Sequence, residues 1–196
     1  MSTPYLEAKK TALLVVDYQN FYIDEGSLLE MPNAREGLPL MNDLVTRMKE
    51  KGCLIVYIRC THYLMHNNAY PRKWPQHFKP DGDCYLKPGT HDFDVCDQLA
   101  KVADYYVDKD RWSAFFGTNL DIILRDHNIR AVAVCGLATP VCCESTARDA
   151  SFRDYDTIML SDCNFALSPE SHAASLENFE AAFGWVMSKD ELLEKL

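Results

Sequence analysis

Thr11-Ala12-Leu13-Leu14-Val15-Val16-Asp17 is the stretch on which the fold turns. Six uncharged residues that end on a carboxylate predict a strand buried on both faces, since a strand with one wet face would alternate. Downstream, the pattern switches to helical spacing. Leu40, Met41, Leu44, Val45 and Met48 share one face over residues 39–51, and Gly52 stops the helix. Further strands are predicted at 53–58, 105–107, 131–135, 157–160 and 185–187. Helices are expected at 118–127, 142–153, 169–183 and from 189 to the end, with Ser168 as N-cap and Pro169 at the first helical position. Buried strands alternating with helices mean a central, mainly parallel six-stranded sheet covered on both faces, an α/β three-layer sandwich. Ligands of such sheets bind beyond the carboxyl ends of the strands, so the strand ends are where chemistry is sought.

The 196 residues suit one domain over 1–196, without repeats or a Gly/Ser linker. A net charge of -9 offers no basic footprint for nucleic acid. Met1-Ser2-Thr3-Pro4-Tyr5 lacks the basic start and apolar middle of a signal peptide, and apolar runs such as 12–16 are too short to cross a membrane. Eight cysteines without a C-x-x-C pair read as reduced thiols in a cytoplasmic protein. The irregular stretch 60–89 holds Tyr63, Tyr70, Trp74, Phe78 and Tyr85, which points to a lid or an interface, against the plainer reading of a surface insertion. Its apolar surface predicts a homo-oligomer, a dimer or tetramer.

Three strand ends carry residues that a plain core would not choose. Asp17 ends the first strand, Lys109 follows the third, and Cys142 opens the helix after the fourth. A parallel sheet brings all three to one edge. A thiol must lose its proton to attack, and a helix start and a nearby ammonium favour the thiolate. A carboxylate in reach can take the proton and pass it to a leaving amine. Each residue has a bland reading by itself: a turn-capping Asp, a solvated Lys, a buried Cys. The convergence is the argument.

Asp17-Tyr18-Gln19-Asn20, Asp108-Lys109-Asp110-Arg111-Trp112-Ser113-Ala114-Phe115, and the stretch from Gly136 through Cys142-Cys143-Glu144-Ser145 to Ala150 together resemble the isochorismatase-like cysteine hydrolases. The likeness runs over about 11–187 and looks strongest to the ureidoacrylate amidohydrolase and biuret hydrolase branch. It implies a Rossmann-like sandwich, with Asp17 as base, Lys109 as electrostatic helper and Cys142 as nucleophile. It also implies an oxyanion hole from the backbone N–H groups of Ala138 and Cys142, and a cis peptide at Leu137–Ala138. Pro140 stands where many relatives carry Asn, and Cys143 where many carry Val.

The activity so implied is hydrolysis of C–N bonds in small amides or ureides through an acyl- or carbamoyl-thioenzyme, with no cofactor. Tyr18, Trp74, Trp112 and Phe116 are expected to line the pocket, with Arg111, His62 and His77 supplying orienting hydrogen bonds. Nicotinamidases of this superfamily hold a metal through an Asp-x-His element. Here that element reads Cys60-Thr61-His62, so no metal is expected, although His66 and His77 leave a metal-assisted amidase as an alternative. A catalytically silent binding member is the other alternative. A dinucleotide enzyme is excluded, because the turn after the first strand has no glycine.

Overall fold

The computed structural model describes residues 3–62 and 69–196. Its strands are β1 (Thr11–Val16), β2 (Leu54–Cys60), β3 (Tyr105–Lys109), β4 (Ala131–Leu137), β5 (Asp156–Phe165) and β6 (Trp185–Met187). They pair in the order β3-β2-β1-β4-β5-β6, every pair parallel. The helices are α1 (Asn20–Ile23), α2 (Pro32–Glu36), α3 (Leu38–Glu50), α4 (Ala69–Lys73), α5 (Leu120–Asp126), α6 (Glu144–Ser151), α7 (Pro169–Ala182) and α8 (Lys189–Lys195). Among the described residues no helix is long and apolar enough to cross a membrane.

All six residues of β1 are buried. Leu13 and Val15 pack with Met41, Leu44 and Val45 of α3 and Leu192 of α8, whereas Ala12, Leu14 and Val16 pack with Leu124 of α5, Ala147 of α6 and Phe179 of α7. Period-two alternation is therefore present in the packing but invisible in the hydropathy, because both faces are dry. Each such fully buried Leu or Val contributes about 1.5–3 kcal/mol.

Local signals set the helix ends. Gly52 takes φ 88°, its amide bonds Lys49 O at 2.9 Å and that of Cys53 bonds Met48 O at 3.1 Å, a Schellman close to α3. Ser168 Oγ accepts from Ser171 N at 3.1 Å at the start of α7. Ser188 and Glu191 form a capping box at α8.

Four expectations need correction. The helix expected from 142 begins instead as a π turn, Thr139–Cys143, that runs into α6. Lys109 is the last residue of β3 and not the one after it, and β3 is an edge strand with Tyr105 and Tyr106 exposed. The stretch 60–89 contains α4 and a 3-10 turn, Pro75–His77. Its aromatics also turn inward: Tyr70 is buried, and Tyr85 stacks on Phe21 at 5.6 Å between ring centroids. Tyr63 lies outside the described residues.

The chain builds β1, β2 and β3 outward, returns to the centre for β4, and builds outward again. The crevice between the carboxyl ends of β1 and β4 is thus the switch point of the sheet. There Gly136 takes φ 120°, and a Cβ on it would lie 2.1 Å from Val16 O. Only glycine lets the two strands close at this point.

Candidate active site

Asp17 leaves β1 with φ 53°, a left-handed backbone that Asp tolerates better than most residues, and its amide bonds Ile58 O at 3.0 Å. Lys109 is in register with Cys60 of β2. It must span two strand spacings, roughly 10 Å, to reach the end of β1, which suits its long stem. Cys142 sits in the π turn beyond β4. Their exposures are 2%, 0% and 6%. Lys109 Nζ donates to Asp17 Oδ2 at 2.8 Å, Cys142 Sγ at 3.3 Å and Arg111 O at 3.1 Å. These three acceptors match the three protons of an ammonium. Asp17 Oδ1 is buried and makes no hydrogen bond.

A fully buried ion pair is weak evidence for stability, because desolvation offsets its attraction. Here it sets protonation states. Burial raises the Asp17 carboxyl above its usual range, opposed by Lys109. Burial also disfavours the Lys109 ammonium, but Asp17, Cys142 and Cys60 together outweigh it and hold the group well above its usual value. Burial pushes the Cys142 thiol well up, and Asp17 adds to this against Lys109. Burial thus favours the neutral thiol of Cys142, against the pull of the Lys109 ammonium.

Asp17, Ala138 and Cys142 line one cavity of about 410 Å³. Trp74 and Trp112, and with them His77, line it. Tyr18 does not: it is 1% exposed, its hydroxyl bonds Ala34 O, and it packs in the core beside Phe165. Phe116 does not either, being 63% exposed beside a separate shallow hollow with Arg111. The reading of the sequence missed Tyr22, Met31, Val141 and Leu167 in the wall, and Glu30 and Gln76 as its further polar members. A larger hollow of about 520 Å³ near Asn33 and Asn164 contains no cysteine; its Ser168 Oγ is committed to Ser171 at the start of α7, and the ring of its His172 is spent on Thr139 Oγ1 and Ser161 O.

Gln19 stitches the strand ends together. Its side chain donates to Cys60 O at 3.0 Å and Phe93 O at 2.7 Å and accepts from Cys60 N at 2.8 Å. Asn20 ties the same turn to His91 O and Asp97 N. At the π turn, Val141 N and Cys143 N both bond Ala138 O. The Leu137–Ala138 peptide is trans, contrary to expectation. Gly136 at φ 120° and Ala138 in extended backbone carry the change of direction there.

Beside the cavity, Tyr70 Oη lies 2.9 Å from His62 Nε2 and 2.5 Å from His77 Nδ1, and the two nitrogens are 3.0 Å apart. These atoms contact one another. Among the described residues no three His, Cys, Asp or Glu side chains gather as metal ligands, and the donor set there does not fit a catalytic divalent ion. His66 lies outside the described residues.

The isochorismatase domain family matches residues 11–191. Ureidoacrylate amidohydrolase RutB of Acinetobacter baylyi (strain ATCC 33305 / BD413 / ADP1) is 32% identical over 199 residues, covering 92% of this chain and 81% of that protein. A cysteine hydrolase from Pseudomonas syringae pv. phaseolicola 1448A superposes with TM-score 0.86 at 26% identity, over 100% of this chain and 98% of its own. N-carbamoylsarcosine amidase from Thermoplasma acidophilum superposes with TM-score 0.77 at 29% identity, over 92% and 97%. The six-stranded sandwich with its cavity at the switch point is thus that of an isochorismatase-like hydrolase. The chain belongs to the isochorismatase family.

Proposed function

We propose that the chain cleaves C–N bonds of small, mostly neutral amides or ureides through a covalent acyl- or carbamoyl-thioenzyme on Cys142. The observation that carries this reading is Lys109 Nζ, held 2.8 Å from Asp17 Oδ2 and 3.3 Å from Cys142 Sγ at the wall of a cavity sized for a small molecule. The likeness to proteins named ureidoacrylate amidohydrolase and N-carbamoylsarcosine amidase favours a carbamoyl–nitrogen bond as target.

In the proposed cycle, Cys142 Sγ bonds to the carbonyl carbon as its proton passes to the unpartnered Oδ1 of Asp17. The backbone N–H groups of Ala138 and Cys142 take the oxyanion. Collapse breaks the C–N bond, and Asp17 returns the proton to the leaving nitrogen. Water then gives a proton to Asp17 and adds to the thioester, and Cys142 leaves and regains its proton. Lys109 stays charged throughout and offsets negative charge on Asp17 or sulfur. The aromatic wall of Trp74 and Trp112 excludes water.

Ammonia release from ureidoacrylate, biuret, simple carbamoyl compounds and nicotinamide tests the substrate class. A nicotinamide specificity constant far above the rest would overturn it. Cys142→Ala should abolish turnover while Cys143→Ala, a buried packing position, leaves most of it. The reverse pattern removes Cys142 from its role. A silent binding protein would release no ammonia, and its Cys142 would react with iodoacetamide no faster than the other thiols. The working unit is proposed to be a homo-oligomer in the cytoplasm, where its eight free, buried cysteines would stay reduced.

A further inference from the structure

Beyond Asp17 and Cys142 the wall of the cavity is mainly apolar: Leu28, Leu29, Met31, Val141 and Leu167 join the two tryptophans. Leu28 and Leu167 are 55% and 84% exposed, so they stand at its mouth. Single exposed leucines are ordinary, but two at one opening carry the apolar surface of the cavity outward. The described lining holds no lysine or arginine, and residues 63–68 contain neither. Cations nearby are engaged elsewhere. Lys109 is committed to Asp17, Cys142 and Arg111 O, and Arg35 to Glu30 Oε2 at 3.3 Å and Ile23 O at 3.3 Å. Lys73 lies against the Trp74 ring, 5.7 Å from its centroid, and is not part of the wall. Burial pushes the His77 ring down to about 4, so it brings no positive charge either. The one further charge in the described lining is negative. Glu30 is held below the usual carboxylate range by the Gly26 amide and Arg35.

We propose that the preferred substrate carries an apolar, uncharged group of several carbons beyond its amide or carbamoyl end, that Leu28 and Leu167 seat this group, and that substrates ending in a carboxylate are rejected. The inference rests on the amide or ureide reading above and deepens it. An alkyl or aryl group leaves water for a wall of its own kind. A carboxylate in the same place would give up its hydration, find no cation to pair with and face Glu30. Ureidoacrylate ends in such a carboxylate and should therefore be a poor substrate here.

The test measures ammonia release from methylurea, isopentylurea and ureidopropionate, the last two alike in shape but ending in an isopropyl group or a carboxylate. Wild type should favour isopentylurea over each of the others by about tenfold or more in specificity constant. The double variant Leu28→Ser with Leu167→Ser should shrink its advantage over methylurea by about threefold or more. Both side chains are largely exposed, so the fold should survive, and a ratio taken within one variant cancels any general loss of active protein. Glu30→Gln should raise ureidopropionate relative to isopentylurea. A wild type that prefers ureidopropionate, or a double variant with an unchanged ratio, overturns the proposal. If the double variant changes the mass seen by light scattering and leaves the ratio alone, the leucines serve a contact between copies and the proposal falls. Turnover of biuret without turnover of isopentylurea overturns this inference alone. If no amide or carbamoyl compound is cleaved, the amide reading fails. Calorimetry on wild type then decides the inference separately: isopentylurea should bind and ureidopropionate should not, and any other pattern overturns it.

Discussion

Asp17 has to be an ion to take a proton, yet the fold buries it. Burial raises its pKa from the ordinary 3.8, with Lys109 pulling the other way. A base works only when ionised, so the specificity constant should fall as pH drops through this raised value. The acid limb should therefore have its midpoint above 3.8. Asp17→Asn should cost about 10²–10⁴ in rate. A limb at or below the ordinary carboxylate range would remove Asp17 as the base. That Asp17, Lys109 and Cys142 meet was legible in the sequence because a parallel sheet brings the ends of β1 and β3 and the turn after β4 to one edge. The pocket wall was less so. Tyr18 and Tyr22 flank the start of α1, a four-residue helix too short to show which face is buried. One enters the core and the other the cavity.

Elements were legible to the degree that one interaction fixed them. β1 and β4 were readable because burial on both faces leaves no charged residue in either. The helix stop at Gly52 and the cap at Ser168 were readable because each is a single-residue device. The π turn was not, since it depends on how Thr139–Cys143 meets β4 and α7 and not on its own composition. The register shift between Val134 and Gly136 opposite β5 was equally hidden. There Asn164 Nδ2 bonds Val134 O at 2.8 Å and Leu160 O at 2.7 Å. Gly136 is the element-scale test. An added methyl 2.1 Å from Val16 O must push β1 and β4 apart just below Asp17 and the π turn. Gly136→Ala should cost about 1–3 kcal/mol or more. For a domain of this size that lowers the melting temperature by roughly 2–10 °C, with activity falling further than stability. An unchanged melting curve would show that the strands have room there.

At the scale of the whole molecule, the sandwich was read correctly while the reason given for assembly was not. The described loop aromatics pack inward, and among the described residues large apolar side chains left in solvent lie elsewhere. Phe116, Ile122, Phe152 and Leu167 are 63%, 71%, 67% and 84% exposed. Phe116 and Phe152 border the same shallow hollow. An apolar face of this kind supports the proposed homo-oligomer. Light scattering at micromolar concentration should give a multiple of 22.4 kDa, and the mass of one chain would count against assembly.

The strand order also imposes a calendar on the site. The ribosome delivers β1, β2 and β3 first, and with them Asp17 and Lys109, but at that moment β1 is still an outer strand with nothing on its far side. The thiol arrives only with Thr139–Cys143, after β4 has come back to the middle of the sheet. In chain order the cluster of Asp17, Lys109 and Cys142 is thus completed by the strand that returns to the middle of the sheet, with β5, α7, β6 and α8 still to follow.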